Sequence, residues 1–167
     1  ITDLKTEEQL KDGVEQLKEF DNIKYTLGEH REEDFTNADI IIKGNGVPLD
    51  NKYIKVAEQA GARIAMSVAL FAKYAQGAGA TIVGVTGTRG KSTVVQMVYG
   101  ALALFKNAGG ISGGVHIGGN VRGVSTLATL PIVREGDICV LELDSWILQG
   151  FGYEELSPNI AVFTTFY

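Results

Sequence analysis

The chain reads as an α/β protein built from two parallel-sheet domains, and three observations predict this. Runs of β-branched apolar residues alternate with segments of helical periodicity, the pattern of parallel strands joined by crossover helices that cover both faces of a sheet. One such run, Thr81-Ile82-Val83-Gly84-Val85, feeds a glycine-spaced turn. That turn ends in Gly90-Lys91-Ser92-Thr93 and opens onto Val94-Val95-Gln96-Met97-Val98-Tyr99, which reads as a helix. Finally, Gln76-Gly77-Ala78-Gly79-Ala80 is small and glycine-rich, and the pattern starts afresh after it, so residues 1–78 and 79–167 are read as separate domains.

The elements follow in order. Ile1 to Leu4 reads as the tail of a short strand. Thr6 with Gln9 makes a capping box, and Leu10, Val14 and Leu17 recur at helical spacing toward Phe20. Asn22 to Leu27 is the next expected strand. Ala38 to Lys43 is another, with the core Ile40-Ile41-Ile42, and ends in the turn Gly44-Asn45-Gly46-Val47-Pro48. Tyr53, Val56, Ala57 and Ala60 mark a helix that Gly61 is placed to stop. Arg63 to Met66 reads as a strand and Val68 to Ala75 as a helix. In the second domain a helix is expected from Ser92 to Phe105, with buried strands at Asp137 to Leu143 and Asn159 to Thr164. Between them, Gly109 to Gly123 is no linker, because Val115, Ile117 and Val121 interrupt its glycines; a mobile loop and a ligand-facing loop fit it equally. Trp146, Phe151 and Tyr153 read as packing aromatics.

Composition narrows the class. With 167 residues and 45% apolar content the chain can fill one ordinary core or two small ones. A net charge of −5 argues against a nucleic-acid partner, whose phosphates reward a basic face. No apolar run approaches the ~20 residues that span a bilayer, so no membrane partner is expected. The single cysteine, Cys139, reads as a small buried hydrophobe on a strand; without a second one no internal disulfide forms, which fits a reducing, cytoplasmic setting. Both ends read as interior to a longer protein: the first residues resemble a strand ending, and Ile160 to Tyr167 has just left a strand.

The glycine turn carries the chemistry. Glycines let backbone N–H groups turn onto phosphate oxygens, and a helix N-terminus adds partial positive charge. Lys91 can reach the β- and γ-phosphates of ATP, and the Ser92 hydroxyl can ligate Mg²⁺. The general nucleotide-loop signature has a glycine five residues before Gly90, where Val85 stands; what remains is the shorter form Gly87-x-x-Gly90-Lys91-Ser92-Thr93. The plainer alternative is a strand-to-helix turn capped by Thr88 with an incidental exposed lysine. Glu142 ends the strand Ile138-Cys139-Val140-Leu141, where an acid of a nucleotide-binding fold orients Mg²⁺ at the carboxyl edge of the sheet; a solvated strand-end charge is its alternative. Asp144 is read as the cap of the helix carrying Trp146. His116, alone in a glycine-rich stretch, is read as bonding locally, Asn120 as a ligand contact or an Asx-type turn, and His30 is assigned no function.

Three segments together resemble the Mur ligases of peptidoglycan synthesis in order and spacing: Val85 to Thr93, Gly118-Gly119-Asn120-Val121-Arg122-Gly123, and Val140-Leu141-Glu142-Leu143-Asp144-Ser145. The shortened loop is the form that family uses. A fourth segment, Ile1-Thr2-Asp3-Leu4-Lys5-Thr6, resembles the strand end that receives uracil in the members that act on UDP-N-acetylmuramoyl-L-alanine and D-glutamate. The resemblance implies a Rossmann-like UDP-sugar domain over 1–78 and a P-loop ATP-binding central domain over 79–167. It implies that Gly87, Thr88, Arg89, Gly90, Lys91, Ser92 and Thr93 hold ATP, and that Ser92 and Glu142 hold Mg²⁺. Lys91 and Glu142 would serve catalysis, Asn120 would touch the UDP-sugar, and Asp3 with Lys5 would line the uracil pocket. The reaction implied is attack of the substrate carboxylate on the γ-phosphoryl group, then displacement of phosphate by the amine of D-glutamate.

The sequence departs from the family pattern in places. Gly44 to Pro48 occupies the position of a Ser/Asn-Pro-Gly turn, Asp144 that of a serine, and Ile147 that of a frequent glutamine. The resemblance also implies an Asp-His pair just past Tyr167, a modified lysine and a carboxy-terminal amino-acid-binding domain, so this segment alone is expected to be inactive; a monomer is expected. Two alternatives remain open. One is a ligase of the same superfamily acting on folate. The other is a non-enzymatic nucleotide-binding module; a GTPase-type switch would need Asn-Lys-x-Asp, and Asn51-Lys52 is followed by Tyr53-Ile54.

Overall fold

A computed structural model describes residues 1–166; Tyr167, the last residue of the carboxy-terminal run, lies outside the described residues. Contacts divide the chain into two compact units: Ile1–Ile41 with Pro48–Ile64, and Ile42–Val47 with the chain from Ala65 onward.

In the first unit, strands β1 (Thr2–Asp3) and β2 (Thr26–Leu27) pair in parallel, Thr2 opposite Thr26 and Asp3 opposite Leu27. A 3₁₀ turn, Glu8–Leu10, and helix α1, Lys11–Gln16, connect them. Half of the capping box forms: the Thr6 amide donates to Gln9 Oε1 at 3.0 Å. The helix stops short of Phe20. Past Gln16 the bonds shorten to the three-residue kind (Leu17 N to Val14 O, Phe20 N to Leu17 O), and Gly13 inside so short a helix weakens it. The strand expected from Asn22 contracts to Thr26–Leu27, because its partner offers only two residues to pair with.

Helices α2 (Glu32–Thr36) and α3 (Lys52–Gln59) pack through aromatic contacts. Phe35 stacks on Tyr53 at 4.8 Å, and the His30 ring meets both edge-on. Helix α2 was not legible as an element: a five-residue acidic run lacks periodicity, and its three first-turn carboxylates suit a helix N-terminus only once that helix exists. In α3, Asn51 caps the start by accepting from the Tyr53 amide at 2.9 Å, and Gly61 follows the end at φ +90°. Strands β3 (Ile40–Ile42) and β4 (Arg63–Ala65) form a two-stranded sheet.

The second unit is organised by a four-stranded parallel sheet in the order β6-β7-β5-β8. Its strands are β5 (Thr81–Thr86), β6 (Val115–Gly119), β7 (Ile138–Glu142) and β8 (Ile160–Phe163). Alternation along β5 and β7 assigns the faces. Ile82, Cys139, Leu141 and Leu143 bury against helices α4 (Ser67–Gly77) and α6 (Ser145–Tyr153), together with Phe71, Ile147 and Phe151. Val83, Val85 and Val140 face the other way, onto Val94, Val95 and Val98 of α5 (Lys91–Asn107). The sheet is thus covered on both sides, as strand–helix alternation requires. Helix α4 packs on α6 and β5, so by packing it belongs with the second unit, earlier in the chain than the glycine-rich stretch at 76–80 suggests.

Strand β6 is the element that sequence pattern hides. Val-His-Ile-Gly-Gly neither alternates nor runs apolar, yet it pairs with β7 from Val115–Ile138 to Gly119–Glu142. Its start is tied down by Asp137, whose carboxylate accepts from the Gly114 amide (2.5 Å), the Arg134 amide (2.9 Å) and His116 Nε2 (2.8 Å). His116 therefore bonds locally, as expected. Burial alone would push the Asp137 carboxyl up, but the bonds from His116, Arg134 and Gly114 outweigh it and hold the group below its ordinary 3.8. A carboxyl whose folded pKa is depressed stabilises the fold above its unfolded pKa and loses that contribution as pH falls through the folded value. Asp137→Asn should therefore lower stability at pH 7 and flatten its loss as pH falls below the ordinary carboxylate range, measured by urea titration across pH. An unchanged acid limb would refute this role. Cys139 is a fully buried residue on a strand, as expected, and its thiol is pushed up to about 12 by burial and by Asp137.

Candidate nucleotide-binding site

Parallel strands bring their carboxyl ends to one edge of a sheet, and that edge collects most of the residues singled out above. There β6 runs into Asn120, β7 ends at Glu142, β5 leads into the glycine turn, and β8 leads into Thr164-Thr165.

The turn needs its glycines. Gly87 lies at φ +133° and Gly90 at φ +82°, regions that residues with a Cβ rarely adopt. Gly90 is the N-cap of α5 and has no side chain to offer, so the cap is not Thr88, and no side chain closes the helix start. The first intrahelical bond runs from Val94 N to Gly90 O at 2.9 Å. Hence the amides of Lys91, Ser92 and Thr93 point out of the helix without an intrahelical acceptor, at the positive end of a 17-residue dipole. The Lys91 ammonium folds back over the turn, donating to Gly87 O at 2.8 Å and lying 3.5 Å from Thr88 O. Ser92 and Thr93 are exposed.

The amides expected to act together divide into two sets. Those of Thr88 and Arg89 already have acceptors, the carbonyl and the hydroxyl of Thr165, at 2.8 and 3.0 Å. The open donors are those at the start of α5. Sequence reasoning missed Thr164 and Thr165 altogether, since nothing in a Thr-Thr pair after a strand announces where it folds.

Glu142 pairs with Val85 on one side and Gly119 on the other. Two residues beyond Val140, it projects from the same face of the sheet as Val140 and Val85, the face that α5 covers. It is only 4% exposed, and among the described residues its carboxylate has no hydrogen-bond or ion-pair partner. Asn120 is exposed and adjoins it, its amide donating to the Glu142 carbonyl at 2.9 Å. Asp144 accepts from the Ile147 amide at 2.8 Å and caps α6, as read from the sequence.

These groups fit a hard divalent cation. The Glu142 carboxylate has no partner among the described residues and its oxygens reach solvent, so they are open to a cation, and Mg²⁺ characteristically takes one or two protein oxygens and completes its shell with phosphates and water. Glu142 with Ser92 would supply the protein's share. Among the described residues no group of three or more His, Cys, Asp or Glu could hold a metal by itself, so any cation here depends on oxygens that a ligand brings.

Asp3 and Lys5 belong to the first unit. Asp3 Oδ1 accepts from the Lys5 amide at 2.8 Å at the carboxyl end of β1. Asp3 also borders a cleft of about 180 Å³ whose other walls, including Ile1, Leu10, Val14, Tyr25 and Leu27, are mostly apolar. One buried cation went unnoticed in the sequence: Lys43, 4% exposed, donates to Val47 O at 2.8 Å and ties off the Gly44–Pro48 turn, with burial lowering its pKa. Among the described residues no helix is long and apolar enough to cross a membrane.

With this geometry in hand, the comparisons with known proteins become specific. Residues 85–167, from the end of β5 onward, match the family model described as the Mur ligase middle domain. The chain belongs to the Mur ligase family. It is 40% identical, over its whole length, to the UDP-N-acetylmuramoylalanine–D-glutamate ligase of Borreliella burgdorferi (strain ZS7). It is 36% identical over 99% of its length to the Roseiflexus sp. (strain RS-1) ligase of the same name, and 37% identical over 89% to that of Treponema pallidum (strain Nichols). It spans 34%, 33% and 26% of these Mur ligases respectively, about a third of the length of the first two.

Proposed function

We propose that the chain is the nucleotide-holding part of an ATP-dependent ligase that joins D-glutamate to UDP-N-acetylmuramoyl-L-alanine in peptidoglycan precursor synthesis. What supports this reading is one carboxyl edge of the sheet, where β5 leads into the turn of Lys91 and the open start of α5 and the neighbouring β7 ends at Glu142, in a chain whose relatives bear that ligase's name.

In this reading the amides of Lys91, Ser92 and Thr93 receive phosphate oxygens, and the Lys91 ammonium leaves Gly87 O to meet the β- and γ-phosphates. Gly87 and Gly90 supply the backbone turn, while Thr88 and Arg89 contribute its shape. Glu142 and Ser92 hold Mg²⁺, which when bound neutralises phosphate charge. Such neutralisation matters because the attacking carboxylate and the triphosphate are both anionic. Phosphorylation gives the carboxylate a leaving group that D-glutamate's amine can displace. Asn120 contacts the UDP-sugar beside Glu142; Asp3 and Lys5 receive its uracil, the function assigned to residues 1–78, with ATP assigned to 79–167. The cytoplasm supplies both substrates.

Calorimetry on the intact protein tests the substrate assignment. UDP-N-acetylmuramoyl-L-alanine should bind and folate should not, and Asp3→Ala should weaken the UDP-sugar about tenfold while leaving Mg·ATP unchanged, the size of one lost charge-assisted hydrogen bond. Binding of folate alone would reassign the substrate, and equal loss of both ligands in Asp3→Ala would mean the substitution acts on folding.

A further inference from the structure

We propose that Thr164 and Thr165 are positioning residues of the nucleotide loop, holding its Gly87–Arg89 arm in place so that its phosphate-facing donors are those at the start of α5. The inference rests on the nucleotide reading above.

The pair lies just past β8, beyond the last residue that pairs with β5, Phe163 opposite Thr86. The Thr164 amide donates to Thr86 O at 2.9 Å and prolongs the ladder by one bond. From there the contacts are of a different kind. The Thr164 hydroxyl lies 2.5 Å from Arg89 O and 3.2 Å from Thr86 O, and donates to the nearer. Thr165 accepts the Thr88 amide on its carbonyl at 2.8 Å and the Arg89 amide on its hydroxyl at 3.0 Å, with that hydroxyl 3.2 Å from Arg89 O. Both main-chain groups of Arg89 and the amide of Thr88 are thereby occupied. A Cβ on Gly87 would overlap the Thr164 hydroxyl and stand 2.9 Å from the Thr165 amide, so the arm packs directly on this pair.

A glycine-spaced turn is expensive to order, because glycine loses the most conformational freedom on folding. Ordering it before the ligand arrives moves that cost out of the binding step. The two hydroxyls do this for Arg89, an exposed loop residue whose main chain the strand ladder does not reach. Thr165 also decides direction: with the Thr88 amide on its carbonyl and the Arg89 amide on its hydroxyl, neither is left to face an anion, whereas the amides at the start of α5 are.

The test uses the intact protein, with Mg·ATP affinity by calorimetry and steady-state kinetics. Thr165→Val, which removes the hydroxyl but keeps the shape, should raise the Mg·ATP Kd and the ATP KM about tenfold. The KM for the UDP-sugar and the melting temperature should stay as in the wild type, and Thr165→Ser should restore nucleotide affinity. Should Thr165→Val fold poorly, Thr164→Val carries the same expectation, with Thr164→Ser as its control. A Kd within twofold of wild type in the valine variants overturns the proposal, as does a serine variant as weak as the valine one. If the wild type itself fails to bind Mg·ATP, the nucleotide reading falls and takes this inference with it; binding by the wild type with silent valine variants removes the brace alone.

Discussion

Lys91→Ala in the intact protein should cut ATP-dependent phosphate release by about 10³-fold, the scale on which one preorganised charged donor acts on a transferring phosphoryl group. The reason lies in where the ammonium sits. It donates to Gly87 O, a neutral carbonyl within its own loop, and among the described residues it has no carboxylate partner. Releasing that bond costs about 1 kcal/mol, so the side chain is free to exchange it for a phosphate. The same argument predicts a small effect on folding, because the removed bond lies at a half-exposed turn. The measurement is phosphate release alongside thermal melting. Near-normal turnover would reject the phosphate role, and a large drop in melting temperature would show the lysine to be structural.

Glu142→Gln should likewise separate function from stability. The residue is largely buried but its carboxylate oxygens still reach solvent; it faces the α5 side of the sheet beside Val85 and has no partner among the described residues. A neutral amide of the same shape removes no hydrogen bond or ion pair from the free protein, so the variant should melt close to the wild type, within about 0.5 kcal/mol. Mg²⁺ would meanwhile lose its protein carboxylate, and the Mg²⁺ concentration for half-maximal activity should rise by tenfold or more. An unchanged Mg²⁺ titration removes Glu142 from the site. A markedly less stable variant shows instead that the carboxylate serves the fold.

Much of the site was legible because its signals are local. Gly87, Gly90 and Lys91-Ser92 are read from a strand, a turn and a helix that follow one another within thirty residues, and each has a mechanical reason to be where it is. Asp144 as a cap and Cys139 as a buried hydrophobe were legible for the same reason: cap chemistry and strand burial act within a few residues. Strand β6 was not legible, because glycines dilute its pattern and its backbone pairing is with β7, more than twenty residues later in the chain. Helix α1 shows the converse, its apolar periodicity promising more length than Gly13 and a two-strand sheet could sustain.

The amino-acid order by itself determined which segment turns on glycines, where a lysine and a hydroxyl open a helix, and that strands alternate with helices; these are properties of neighbours along a chain. Tertiary structure alone decided that Glu142 shares a sheet face with the start of α5, that Asn120 adjoins it, and that Thr165 occupies the amides of Thr88 and Arg89 while Thr164 donates to the Arg89 carbonyl. The physical reason is parallel pairing. It aligns the carboxyl ends of strands far apart in the chain, and the two-residue alternation then sends each side chain to one face or the other, a choice made by register.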